Sequence, residues 1–361
     1  MQMTRDRALA IARLVPLLVV LLAVPAVEAQ VVIFVDDDAR PGGNGVTWPT
    51  AYRHLQDALA ESAASAVPTE IRVARGRYTP DRDEAGNVSP GDRAASFHLV
   101  NGVVLRGGFA GLGSLLGSLH PDQRDVRVNL TVLSGDLDGD DGPGFANYDD
   151  NSDHVLRGRS IGATTIVDGF TISGGNATLG YAGQGGGLLN EFRSSPTLID
   201  CSFIGNSSAS SGGAIYNYAS DPTLVGCSFI GNRTTGLTTG FGGAVRFVRS
   251  NATVTNCRFI GNSGRRGGAV QVYLDSRVSL TNCTFAGNVA SFGHALHCEG
   301  FPQRSTVKLS NSILRDGTGE VHNSGCEIVV YSSNEETRGR EGGSMSEDRE
   351  TKRHGGGIYS R

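Results

Sequence analysis

The residues of this chain best suited to chemistry are carboxylates on alternate positions. Asp136, Asp138 and Asp140 alternate through Asp136-Leu137-Asp138-Gly139-Asp140-Asp141, with Asp149, Asp150 and Asp153 close behind. Oxygen donors in that pattern suit a calcium ion, although the run lacks the glutamate at the twelfth position of an EF-hand loop. A solvated acidic loop explains the same run without an ion. Asp36-Asp37-Asp38 makes a weaker cation candidate, and a turn after the first strand accounts for it. Of the six cysteines, none stand at the Cys-x-x-Cys spacing of a zinc site. Arg246, Arg249, Arg265 and Arg266 fall in adjacent units and suggest a small basic patch, for which a solvated insertion loop is the simpler account. His294 and His297 sit in a variant unit, where degeneration of the repeat explains them as well as catalysis does. A glycan-cleaving enzyme needs carboxylates converging on one face. Aligning the units sets Asp200 opposite Gly226, Asn256 and Asn282 and leaves Asp221 and Asp275 at corners, so no acidic column forms. No catalytic constellation is visible, and a non-enzymatic role is the expectation.

The units that position these residues are internal repeats. Gly212-Gly213-Ala214-Ile215-Tyr216-Asn217 is followed by Cys227-Ser228-Phe229-Ile230-Gly231-Asn232. The same pair of motifs recurs from Gly185, Gly242 and Gly267, and Cys201, Cys227, Cys257 and Cys283 are spaced 26, 30 and 26 apart. Four extra residues therefore lie between Asn232 and Gly242. Degenerate copies flank this core, and the clearest repeats span residues 165–317. Cys and Phe two apart share one face of a strand, while the odd spacing back to Leu198, Leu224, Val254 or Leu280 requires a corner. Strand, corner and strand within one short repeat make a coil that must stack on copies of itself. The fold expected is all-β, a single-stranded right-handed parallel β-helix with an N-terminal capping helix. Equivalent residues should then form columns: Phe203, Phe229, Phe259 and Phe285 inside, Asn206, Asn232, Asn262 and Asn288 as an amide ladder at a turn, and the four cysteines as buried free thiols. Cys298 and Cys326 stand outside that column, and the sequence leaves open whether they pair.

The Gly-Gly-Ala-Ile and Phe-x-x-Asn motifs resemble the repeats of polymorphic outer membrane proteins and of the wider pectate-lyase-like β-helix superfamily. The stretches Val35-Asp36-Asp37-Asp38, Leu55-Gln56-Asp57-Ala58-Leu59, Gly107-Gly108-Phe109-Ala110-Gly111 and Leu133-Ser134-Gly135-Asp136-Leu137 are similar to the lead-in of large exported proteins of this type. Together they cover roughly residues 31 to 330. The resemblance implies the fold well and a reaction poorly. Self-translocation is not carried over with the resemblance, because the C-terminal β-barrel of autotransporter members has no counterpart in this sequence.

At the N-terminus, Arg5, Arg7 and Arg13 precede an apolar run from Leu14 to Val27, and Val27-Glu28-Ala29 suits a signal peptidase. Residues 1–29 therefore read as a secretory signal peptide, whose apolar run is interrupted by Pro16 and Pro25 and is too short to span a bilayer. Residues 30–64 read as a first strand plus a capping helix that starts at Thr50 and turns Tyr52, Leu55 and Leu59 to one side. Residues 65–333 read as the β-helix, and 334–361 as a charged, disordered tail. In that tail Gly355-Gly356-Gly357-Ile358-Tyr359-Ser360 looks like the opening half of another repeat, as expected of a truncated chain. The 51 glycines and 7% aromatic residues suit many turns and a thin core. A net charge of −4 disfavours nucleic acid as a partner. The expectation is a secreted or outer-membrane, cell-surface protein with a structural, adhesin-like or binding role, its partners carbohydrate or cell-surface components. A polysaccharide lyase or glycoside hydrolase of the same fold is the alternative.

Overall fold

The computed structural model describes residues 30–113, 120–178, 183–331 and 334–335. The expected leader at 1–29 and the segment from 336 onward, with its echo of the repeat at 355–360, lie outside the described residues.

Short alternating apolar segments become short strands, and the chain winds them into coils. One coil runs through Ile215–Tyr218, Thr223–Val225, Ser228–Ile230 and Arg233–Thr234 before Val245–Val248 pairs in register beside Ile215–Tyr218. Stacking gives parallel sheets of ten, nine and eight strands and a three-stranded ribbon. No helix among the described residues is long and apolar enough to cross a membrane. The final strand, Asn334–Glu335, pairs with Ile313 and Leu314 and so carries the stack two residues into the segment expected to be tail.

The inside of each coil is dry and repetitive. Phe203, Phe229, Phe259 and Phe285 stack face over face, with centroids 5.2, 4.8 and 4.8 Å apart. Beside them the thiols of Cys201, Cys227, Cys257 and Cys283 are buried and free, and burial pushes the Cys283 thiol up to about 12. Cys298 and Cys326 are joined by a disulfide. Asn206, Asn232, Asn262 and Asn288 form a buried ladder in which each side-chain amide donates to the next carbonyl oxygen at 2.9–3.0 Å, and Asp316 accepts from Asn288 at the end of the row. A second ladder is made of serines. The backbone N–H groups of Ser194, Ser220, Ser250 and Ser276 donate to the hydroxyls of Ser220, Ser250, Ser276 and Ser305, all fully buried at the corner leading into the ten-stranded sheet. Gly212 begins the eight-stranded segment at φ +58°, where an added Cβ would lie 2.2 Å from the Ile215 carbonyl oxygen.

The capping helix spans Leu55–Ala64 and buries Leu55, Ala58, Leu59 and Ser62 against the first coil. It starts four residues later than Thr50 as N-cap suggests, with His54 in the capping position. Thr47 and Thr50 instead cap a single 3-10 turn, and Tyr52 pairs its backbone with Phe34 and Asp36, which holds it extended. Tertiary pairing overrides the local capping signal there.

Candidate functional site

The expected cation loop is occupied by its own hydrogen bonds. Asp136 is buried and accepts backbone N–H groups from Gly139 and Asp140 at 2.7 and 3.1 Å, and Arg77 pairs with its carboxylate. Those bonds and the guanidinium hold the Asp136 carboxyl below its usual range despite the opposing cost of burial. The three carboxylates that meet are Asp136, Asp140 and Asp150, so Asp150 takes the place expected for Asp138. Asp138 contributes a backbone N–H to Asp150 at 3.1 Å. Burial, with the charges of Asp136 and Asp150, raises Asp141 to about 6. Among Asp36, Asp37 and Asp38, whose carboxylates also lie together, Asp36 accepts from Leu112 at 2.8 Å and Asp37 from Arg77 at 2.9 Å. Both acidic runs thus tie loops to the stack.

A different row of side chains carries polar atoms without hydrogen-bond partners. On the eight-stranded sheet, Leu188, Ile215, Val245, Val270 and Leu296 point into the core. Their successors Leu189, Tyr216, Arg246, Gln271 and His297, followed by His322, therefore point outward in register. Outward here does not mean solvated. Gln271 is 0% and His297 2% exposed, and Leu189, Tyr216 and Val248 form an apolar cluster of their own with Tyr218 and Tyr273.

Two flanking rows cover this one. One consists of Ser211, Phe241, Arg266 and Phe292, backbone-paired from coil to coil. The other is Tyr218, Val248, Tyr273 and Glu299, two residues further along the same strands. The Arg246 guanidinium lies over the Phe241 ring at 4.3 Å, reaches within 5.5 Å of Tyr273 and donates to the Ser211 hydroxyl. Arg266 pairs with Glu299 at 3.3 Å and so joins the two flanking rows. His297 and His322 stack at 5.1 Å.

Four buried polar atoms in this row make no hydrogen bond: Arg246 Nε, Gln271 Nε2, Gln271 Oε1 and His297 Nδ1. Burial, then His322, Arg266 and Arg246, push His297 down to about 3, so its ring is neutral at neutral pH. Burial also lowers the Arg246 pKa from its ordinary value, an effect that the Tyr216 and Tyr273 hydroxyls oppose. Each unpartnered buried atom costs about 1–3 kcal/mol, which packing does not return. Donors, an acceptor, a fixed positive charge and aromatic rings at one place are suited to holding a polar ligand.

Of the four arginines expected as one patch, Arg249 donates to Tyr218, Arg265 to the Thr238 carbonyl, Arg266 pairs with Glu299, and Arg246 alone enters the row with a free edge. His294 turns away and interacts with the Asn288 carbonyl at 3.2 Å, whereas His297 belongs to the site. Tyr216, Gln271 and Tyr273 went unnoticed in the sequence. Their signal is a position that varies freely inside an otherwise repeating motif.

A family model described as right-handed β-helix region matches residues 148–337, more than half of the chain. The chain belongs to the right-handed β-helix family. The match spans the row and both ladders and fixes the handedness of the winding. No curated protein and no solved structure matches the chain at a significant level.

Proposed function

We propose that this right-handed β-helix protein is exported and works at the cell surface, binding an extended carbohydrate along the outer face of its eight-stranded sheet. The observation that carries the reading is the buried, unpartnered set on Arg246, Gln271 and His297, which a bound ligand would satisfy. The leader-like residues 1–29 and the likeness of the repeats to polymorphic outer membrane proteins support export, as does the Cys298–Cys326 disulfide, a bond that persists in oxidising compartments. A binding role is preferred to hydrolysis on the chemistry of the same face. The glutamates there, Glu191 and Glu299, are each held in an ion pair with an arginine, at 3.6 and 3.3 Å.

The test is retention of the purified chain on a panel of acidic and neutral polysaccharides, with unsaturated-product absorbance and reducing ends followed in the same samples. Retention without product is the expected outcome. Release of product would make the face an active site, and retention unaffected by Gln271→Leu would move the binding surface elsewhere.

A further inference from the structure

We propose that the Cys298–Cys326 disulfide is a redox-sensitive latch on the last described coil, and that reducing it lets this coil swing off the stack and uncover His297. The latch goes beyond the binding reading above and does not rest on it. The coil is made of Val321–Ser324, Glu327–Tyr331 and Asn334–Glu335, which end the three large sheets, so among the described residues each of its strands has a single neighbour. Stability in a solenoid comes largely from the interfaces between neighbouring coils, and here one of the two is missing. The inward side chains show the deficit: Val321 is 38% exposed and Ile328 and Val330 are half-buried, whereas Leu296, Val307 and Leu309, their partners in register, are buried. At the opposite end the helix Leu55–Ala64 covers the first coil.

The bond is placed to hold this coil. Cys298 lies on the strand Leu296–Glu299 and faces Asn323 in register, while Cys326 stands at the corner that follows. Asn323 braces that corner: the Cys326 backbone N–H donates to its side-chain oxygen at 2.8 Å, and its amide donates to the Cys326 carbonyl at 3.3 Å. The two cysteines are 28 residues apart, so the bond closes one turn of the winding and acts chiefly by denying the open coil its freedom. Cys201, Cys227, Cys257 and Cys283 are already free thiols and give a reductant nothing to cleave. The coil also roofs the end of the outer row. His322, on its first strand, stacks on His297 at 5.1 Å and meets the Phe292 ring at 5.2 Å, and His297 beneath it is 2% exposed. With the coil swung away, the row gains an entrance at this end.

Opening is a thiol–disulfide exchange with a dithiol reductant. Its thiolate attacks Cys326 Sγ, the sulfur beside the exposed residues Asn323, Ser324 and Gly325; a new S–S bond forms as the Cys298–Cys326 bond breaks. The electron pair leaves on Cys298, which takes up a proton. The reductant's second thiol then attacks the mixed disulfide and releases Cys326 as a thiol. The protein gains two electrons and two protons, and the reductant departs as its own disulfide. A reducing compartment thus holds the coil open and an oxidising one holds it shut.

The experiment is hydrogen exchange of the full chain, read by mass spectrometry before dithiothreitol, after it, and again after reoxidation. Amides of residues 321–331 should exchange on the order of a hundred-fold faster once the bond is reduced, and reoxidation should restore their protection. Amides of residues 215–260 should not change. Cys326→Ser should behave as the reduced chain without any reductant; should it not fold, reduction of the unaltered protein carries the same test. Histidine resonances give a second readout: His297, held down to about 3, should titrate nearer its ordinary 6.5 in the reduced chain. Unchanged exchange at 321–331 after complete reduction overturns the latch. So does a loss of protection that runs through 215–260, since the bond would then staple the whole stack. Six reactive thiols in the denatured, unreduced chain, where four are expected, overturn it at the outset. A coil that opens while His297 keeps its low pKa overturns the uncovering of the row.

Discussion

Inside the coil, Asn232 accepts from the backbone and side chain of Asn206 and donates to the Phe203 carbonyl and to Asn262, every bond between 2.9 and 3.0 Å. On the outer face of the eight-stranded sheet Gln271 is just as buried, and neither of its amide atoms has a partner. The two residues carry the same functional group in one repeating scaffold, but the interior amide is satisfied by stacking alone. A fold able to build the first row has no structural need of the second.

That contrast can be broken by making the same substitution on both sides. Asn232→Leu strands the Asn206 backbone N–H, one N–H of the Asn206 amide and the Phe203 carbonyl in the core, and should lower stability by on the order of 3–5 kcal/mol in urea unfolding. A loss under about 1 kcal/mol would mean that the ladder is decorative.

His297 has an intermediate effect, visible in its pH dependence. Its folded pKa of about 3 lies below the ordinary histidine value of 6.5, so the neutral ring's contribution is fully present above 6.5 and drains away as pH falls towards 3. His297→Phe should flatten that part of the acid limb, read as Tm against pH; an unchanged limb would mean that the ring is solvated.

Gln271→Leu should have the smallest effect on the free protein, a gain of about 2 kcal/mol, because two unpartnered atoms costing about 1 kcal/mol or more each are removed. A clear loss of stability would show that the amide has partners in solution and would erase the contrast.

The fold was legible because self-similarity was. Gly-Gly-Ala and Cys-x-Phe-x-x-Asn repeat with residue identity, so the columns of Phe, Cys and Asn could be written from spacing. The serine ladder was equally available, since Ser220, Ser250, Ser276 and Ser305 recur at a comparable period, but single small residues draw little notice among 51 glycines and many turns. The helix start was misjudged at Thr50 because pairing of Tyr52 with Phe34 is a tertiary fact without a local signature. The site was illegible for a different reason. Tyr216, Arg246, Gln271 and His297 share one register position and no chemistry, and a search for an acidic column passes straight over them. What repeats reports stacking; what fails to repeat within the motif reports the face.

The four extra residues between Asn232 and Gly242 are absorbed in an exposed turn at 237–239, where Leu237 is 90% exposed, while Ser211, Phe241 and Arg266 remain paired across the insertion. Change in loop length is thus uncoupled from the winding. Descendants of such a chain can lengthen or exchange that turn, immediately before Phe241, and acquire a new taste in ligands by drift in one loop while inheriting the scaffold unaltered.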